Sequence, residues 1–197
     1  MKLQQWTVTV LAMFVVLAVS AVNAAEKKAP VKQGDTKQTV NVKVRSWKSF
    51  ERLVRSHKGK VVVVDIWTTT CGACLEEFPN FAALGRKYSR DQIALVSLNC
   101  DYDGVPDKPP AFYRDDVLKF LRKQRATFDN VLLDVPFIDF LDQVDLASTP
   151  AILVYAPDGR LVKRFDNDDA LKIEDEYSID DVKRLVDMLV KKVKSKK

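Results

Sequence analysis

Proline and glycine are scarce in this 197-residue chain, at eight and six residues, and that excludes a collagen-like or low-complexity sequence. Histidine occurs once, as His57, which reads as a solvated helix end. A zinc or copper site would need His57, Cys100 and the two other cysteines together, and nothing in their spacing does that, so no metal is expected. Beyond residue 22 no segment is apolar enough to cross a membrane, where about 20 residues are needed. No internal repeat is visible, which excludes a solenoid. Cysteine is limited to three, an odd number that suits a static disulfide framework poorly. One close pair plus one remote cysteine points to a working pair and a bystander.

What remains is ordinary globular composition, 47% hydrophobic and 30% charged, in a length that suits one domain with ends. Residues 1–24 read as an export signal or N-terminal membrane anchor. Lys2 supplies a positive start, Trp6 to Val22 is an uncharged apolar run, and Val22-Asn23-Ala24 offers tolerated cleavage positions. Cleavage after Ala24 and retention as an anchor both stay open, and either places the rest of the chain in a non-cytoplasmic compartment such as a bacterial periplasm. Residues 25–38 are polar and read as a linker, which leaves 39–197 as the folded domain. Five lysines crowd the last seven residues (Lys191, Lys192, Lys194, Lys196 and Lys197). They complement a helix C-terminus, and without interleaved aromatic or glycine residues they imply no nucleic-acid partner.

Periodicity gives the coarse elements. Val40, Val42 and Val44 alternate as a half-buried strand. Ser46 caps a helix reaching His57, and Lys58-Gly59-Lys60 stops it. Val61 to Trp67 is a β-branched run of the kind buried on both faces of a parallel sheet. A helix is expected from the cysteines onward, kinked at Pro79, followed by a buried strand over Ile93–Cys100. Next come a loop from Asp101 to Pro110, a helix over Asp115–Arg125, a strand at Val131–Leu133 and a turn or two of helix at Phe137–Leu141. Strands at Ala151–Tyr155 and Leu161–Phe165 form a hairpin, and a helix over Ile179–Val193 closes the chain. Alternating strands and helices followed by a hairpin make one mixed sheet with helices on both sides.

The functional signal is concentrated in Asp65-Ile-Trp-Thr-Thr-Thr-Cys71-Gly-Ala-Cys74. Two cysteines separated by two residues at a helix start can close a disulfide. The free backbone N–H groups and dipole there would stabilise a thiolate on Cys71, the nucleophile, while Cys74, one turn in, would be shielded and resolving. The pair alone could equally be a structural bridge or half a zinc site, but its place directly after a buried strand favours redox chemistry. Asp65, embedded among apolar residues, is expected to have a raised pKa and to relay a proton to Cys74. Cys100 ends an apolar strand and reads as a buried structural thiol.

From Val61 to Pro79 the sequence resembles the thioredoxin superfamily, and the resemblance extends over most of residues 40–195. Asp65 stands where thioredoxins keep a buried acid, and Trp67 stands at their packing tryptophan. Ser148-Thr149-Pro150 looks like the cis-proline turn that faces the disulfide. The pattern Cys-x-x-Cys-x-x-Glu-x-Pro, Cys71 to Pro79, is similar to the exported TlpA-like branch. That likeness makes Glu77 an active-site acid, and the loop and helix after Leu98 that branch's insertion. The implied fold is α/β and thioredoxin-like, a central mixed β-sheet flanked by helices on both faces with an insertion after the second core strand. The implied substrate groove comprises Trp67, Thr70, Gly72, Ala73, Thr149 and Pro150. Two positions depart from the family: Thr70 replaces a tryptophan before the first cysteine, and Gly72-Ala73 replaces Gly-Pro.

By this resemblance the protein is a monomeric, cofactor-free thiol-disulfide oxidoreductase. Its expected partners are cysteine-containing exported proteins and a membrane thiol electron donor, with a role like that in cytochrome c maturation. A disulfide oxidant or isomerase, and a non-catalytic binding module of the same fold, stay open beside it.

Overall fold

The computed structural model describes residues 39–170 and 176–194. The expected signal or anchor, the linker and the terminal Lys196 and Lys197 lie outside the described residues. The described residues fall in one unit, 37–197.

Strand β1 (Lys43–Arg45) is followed by α1 (Trp47–Ser56), whose first turn is capped by the Ser46 hydroxyl accepting from the Ser49 N–H. The first strand is shorter than its valine alternation predicts. Val42 is buried ahead of it and Val44 is exposed, because β1 is a sheet edge with a single neighbour. Gly59, at φ +96°, turns the chain into β2 (Val61–Trp67), all seven residues of which are buried. Helix α2 (Gly72–Lys87) then runs through Pro79 without ending there, and β3 (Ile93–Asn99) returns to the sheet.

Helix α3 spans Pro110–Lys123, five residues earlier in its start than the apolar spacing predicts. Its first position is Pro110, where the missing N–H costs nothing and φ is already helical. Beyond it come β4 (Asp129–Leu133), α4 (Phe137–Val144), the hairpin β5 (Ala151–Tyr155) and β6 (Leu161–Phe165), and α5 (Ile179–Lys194).

The six strands lie in the order β1-β4-β3-β2-β5-β6, with β5 antiparallel to both its neighbours, β2 and β6, and the other pairs parallel. The segment after β3 therefore contributes both α3 and a strand, β4, inserted between β3 and β1. Asn130 fastens that insertion: its buried amide nitrogen lies 2.9–3.0 Å from the carbonyl oxygens of Asn41, Ala126 and Phe128.

Alternation along β2 assigns the two faces. Val62, Val64 and Ile66 pack with Phe50, Val54 and Phe140 under α1 and α4. Val61 and Val63 pack with Phe81, Leu84, Val182 and Val186 under α2 and α5, and Trp67 joins Phe78, Val117 and Leu121 where α3 meets α2. His57 is not the solvated end that its position suggests. It is mostly buried, and its Nε2 lies 2.9 Å from an Asp129 carboxylate oxygen, joining the end of α1 to the start of β4.

Candidate active site

At the C-terminal end of β2, Thr68 to Thr70 turn the chain into α2, and Cys71 is the N-cap residue of that helix. Its sulfur accepts the Cys74 backbone N–H at 3.2 Å, the interaction a capping oxygen would otherwise make. Cys71 and Cys74 are joined in a disulfide, with Cα atoms 5.2 Å apart. The two sulfurs are not equivalent. Cys71 is half-buried, flanked by exposed Thr70, Gly72 and Ala73, whereas Cys74 is 2% exposed in the core with Phe78 and Trp67. Across from them, the Thr149–Pro150 peptide bond is cis, and the Thr149 carbonyl oxygen lies 3.5 Å from Cys71 Sγ.

Asp65 is 5% exposed, between Ser97 of β3 and Ile152 of β5. Strand alternation directs it to the α2 face, behind the cysteines. Burial pushes its carboxyl up to about 8, and the charge of Glu77 adds to the rise. Glu77 itself is exposed on α2, where Asn80 donates to it. Tyr177, packed on Phe165 at 5.8 Å, feels both acids and has its phenol pushed well up, mainly by burial.

The structure thus brings Cys71, Thr70, Gly72, Ala73, Thr149 and Pro150 to one surface, with Cys74 and Asp65 beneath it and Glu77 beside it. Trp67 is a correction to the expected groove. As an odd-numbered residue of β2 it points into the core, fully buried, with its indole N–H donating to Ser97 Oγ at 2.9 Å and its ring on Phe78 and Phe120. It supports the surface from below and lines none of it. Cys100 is fully buried on the α1 and α4 face, its thiol pushed well up by burial, and it takes no part in the pair. His57 precedes β2 and Cys100 follows β3, so they lie at opposite ends of a sheet about 20 Å long.

Asp101, which reads from the sequence only as the start of a loop, is a further residue of the site. Both of its carboxylate oxygens grip the turn before Cys71, one accepting the Thr69 N–H at 2.7 Å and the other the Thr69 hydroxyl at 2.6 Å. Asn99 steadies the clamp by donating to Asp101 at 3.1 Å and accepting from its N–H at the same distance. A polar Asn-x-Asp at the end of a buried strand is the available signal.

A protein-family model described as Thioredoxin matches residues 41–108. Among solved structures, a thiol-disulfide isomerase from Corynebacterium glutamicum superposes with a TM-score of 0.55 at 18% identity, covering 69% of this chain and 84% of that one. Residues 41–108 match the thioredoxin family, and the fold as a whole is thioredoxin-like. A chloroplastic F-type thioredoxin of Brassica napus is 31% identical over 87 residues, 39% of this chain and 47% of that protein. A thioredoxin of Coprinus comatus is 33% identical over 52 residues, 26% of this chain and 47% of that protein. The chain therefore spans about half the length of the curated relatives it matches. The stretch matched by the thioredoxin model includes Asp65, both cysteines of the pair, Glu77 and Asp101, while α3 and β4 lie beyond it.

Proposed function

We propose that this protein is an exported thiol-disulfide oxidoreductase that reduces disulfides of extracytoplasmic proteins and is itself re-reduced by a membrane thiol donor. The observation that carries the reading is the asymmetry of the pair, one sulfur at a helix N-terminus within reach of solvent and the other sealed in the core. In the reduced protein the helix N-terminus stabilises the Cys71 thiolate, which attacks one sulfur of a partner disulfide and expels the other as a thiolate. Cys74 gives up its proton, with Asp65 the nearby carboxyl suited to take it, and attacks Cys71. The Cys71–Cys74 bond forms, the mixed disulfide breaks, and the partner leaves with two electrons more than it brought. The Thr149 carbonyl beside Cys71 offers an acceptor to the partner's backbone. Export is supported by the charged start and apolar run of residues 1–24. The Cys71-to-Pro79 pattern favours the TlpA-like branch and a role resembling cytochrome c maturation.

The test is the redox equilibrium of the purified protein in glutathione and dithiothreitol buffers, with free thiols counted by alkylation. A midpoint near −270 mV supports a reductase, and one near −120 mV assigns the reverse, oxidising direction. If the pair never exchanges, or if Cys71→Ser exchanges as fast as the wild type, the enzyme reading fails in favour of a binding module.

A further inference from the structure

Beside the redox pair, the turn before Cys71 and helix α3 border an open pocket of about 460 Å3, lined by Thr69, Leu75, Asp116, Lys119, Phe120 and Lys123. That volume lies within the ~300–1,000 Å3 of ordinary ligand sites. Leu75 is the residue after Cys74 and Thr69 stands two before Cys71, so the pocket borders the turn and helix start that carry the redox pair.

The walls are firmly held. The Phe120 ring centroid lies 4.9 Å from that of Trp67, tilted against it, and 5.1 Å from that of Phe78, edge-on, which fixes its ring, and Asp101 holds Thr69. Phe120 and Leu75 give the pocket an apolar floor. Its rim is charged, because Asp116, Lys119 and Lys123 recur at helical spacing along one face of α3. Neither lysine is ion-paired with another described residue. Asp116 lies one turn away toward the start of the helix, and the Asp101 oxygens are already engaged by Thr69 and Asn99. Two uncommitted cations beside an apolar floor complement an apolar side chain with a carboxylate close by.

We infer that this pocket selects the partner polypeptide: it receives an apolar residue adjacent to an Asp or Glu from the segment that carries the partner's reacting cysteine, with Lys119 and Lys123 holding the carboxylate. The inference rests on the thiol-disulfide reading of the pair, and that reading names the occupant. A cysteine that reaches Cys71 brings its own flanking residues to the pocket. Exposed ion pairs are individually weak, and two of them amount to about a tenfold preference that salt should erase.

The experiment measures how fast the reduced full-length protein is oxidised by peptide disulfides in which a Leu-Glu pair is stepped along either side of the cysteine. Matching Leu-Lys peptides and uncharged hydroxyethyl disulfide serve for comparison. At the productive position the Leu-Glu peptide should react about tenfold faster than Leu-Lys at low ionic strength, and the gap should close near 0.5 M salt. In Lys119→Glu/Lys123→Glu the order of the two peptides should reverse, each rate being taken relative to that variant's own rate with hydroxyethyl disulfide. Equal rates for acidic and basic peptides at every position, while hydroxyethyl disulfide still reacts, would overturn the pocket's role and leave the redox reading intact. No reaction with any disulfide would overturn both. The salt dependence is read on the wild-type protein, so the inference stays refutable even if the double variant fails to fold.

Discussion

Replacing Asp65 by Asn keeps the size of the side chain and removes its capacity to ionise. In the folded protein the Asp65 carboxyl titrates at about 8 against an ordinary 3.8, with burial the main cause. Between those two values the unfolded chain has released a proton that the folded chain still holds. Stability from this group is therefore fully present below about pH 4, is lost as pH rises toward 8, and changes no further above it. Each pH unit inside the window removes about 1.4 kcal/mol, so at pH 7, roughly three units in, the wild type has lost about 4 kcal/mol. Asp65→Asn has no such loss. Denaturant unfolding of the two oxidised proteins should show the variant more stable by about 4 kcal/mol at pH 7, with the excess shrinking as pH is lowered toward 4. A gap that stays constant with pH, or that widens toward acid, would refute the assignment of a buried, protonated Asp65. The same titration has a kinetic face. At pH 7 about a tenth of Asp65 is ionised and able to act as a base, a fraction that grows toward half at its pKa. Release of mixed disulfides should accelerate through that range in the wild type and lose the acceleration in Asp65→Asn.

Other substitutions probe the rest of the site. Cys74→Ser should leave Cys71 able to attack but not to be released, so mixed disulfides with partner peptides accumulate and are visible on non-reducing gels. A variant that turns over normally would contradict the assignment of roles. Asp101→Ala removes the acceptor of two short hydrogen bonds from Thr69 and should cost about 2 kcal/mol in denaturant unfolding, with Asp101→Asn recovering part of it. Equal stability of the alanine variant and the wild type would mean that the clamp holds nothing. Asn130→Leu strips the carbonyls of Asn41, Ala126 and Phe128 of their shared donor and should cost about 3 kcal/mol, with amide exchange quickening first in β1 and β4. Uniform quickening across the sheet would refute its role as a local fastener.

Much of the fold is readable locally. The β-branched run Val61–Trp67 can be satisfied only where both faces are covered, and it became the sheet's centre. Ser46 and the Ala156–Gly159 turn are short-range signals, and both did what their chemistry predicts. Apolar spacing places the start of α3 too late because its first turn carries no buried apolar residue, and Pro110 is the informative position. His57 departs from its local pattern for a different reason: its partner, Asp129, is 72 residues away, and no local pattern encodes that pairing.

The sequence by itself determined where the reactive sulfurs stand on the chain and that a strand would deliver them to a helix start. Spacing and hydrophobic period are local properties, and backbone geometry converts them directly into structure. Only the tertiary structure decided which groups surround those sulfurs. Thr149 meets Cys71 across 78 residues, Asp101 grips Thr69 across 32, and Trp67 turns its ring inward onto Phe78 and Phe120. Helix α3 comes to stand beside the pair because β4 finds its place between β3 and β1, an outcome of strand pairing between segments far apart in the chain. Such contacts form because folding buries apolar surface and pairs the polar groups left inside, and that selection acts on the whole sheet at once.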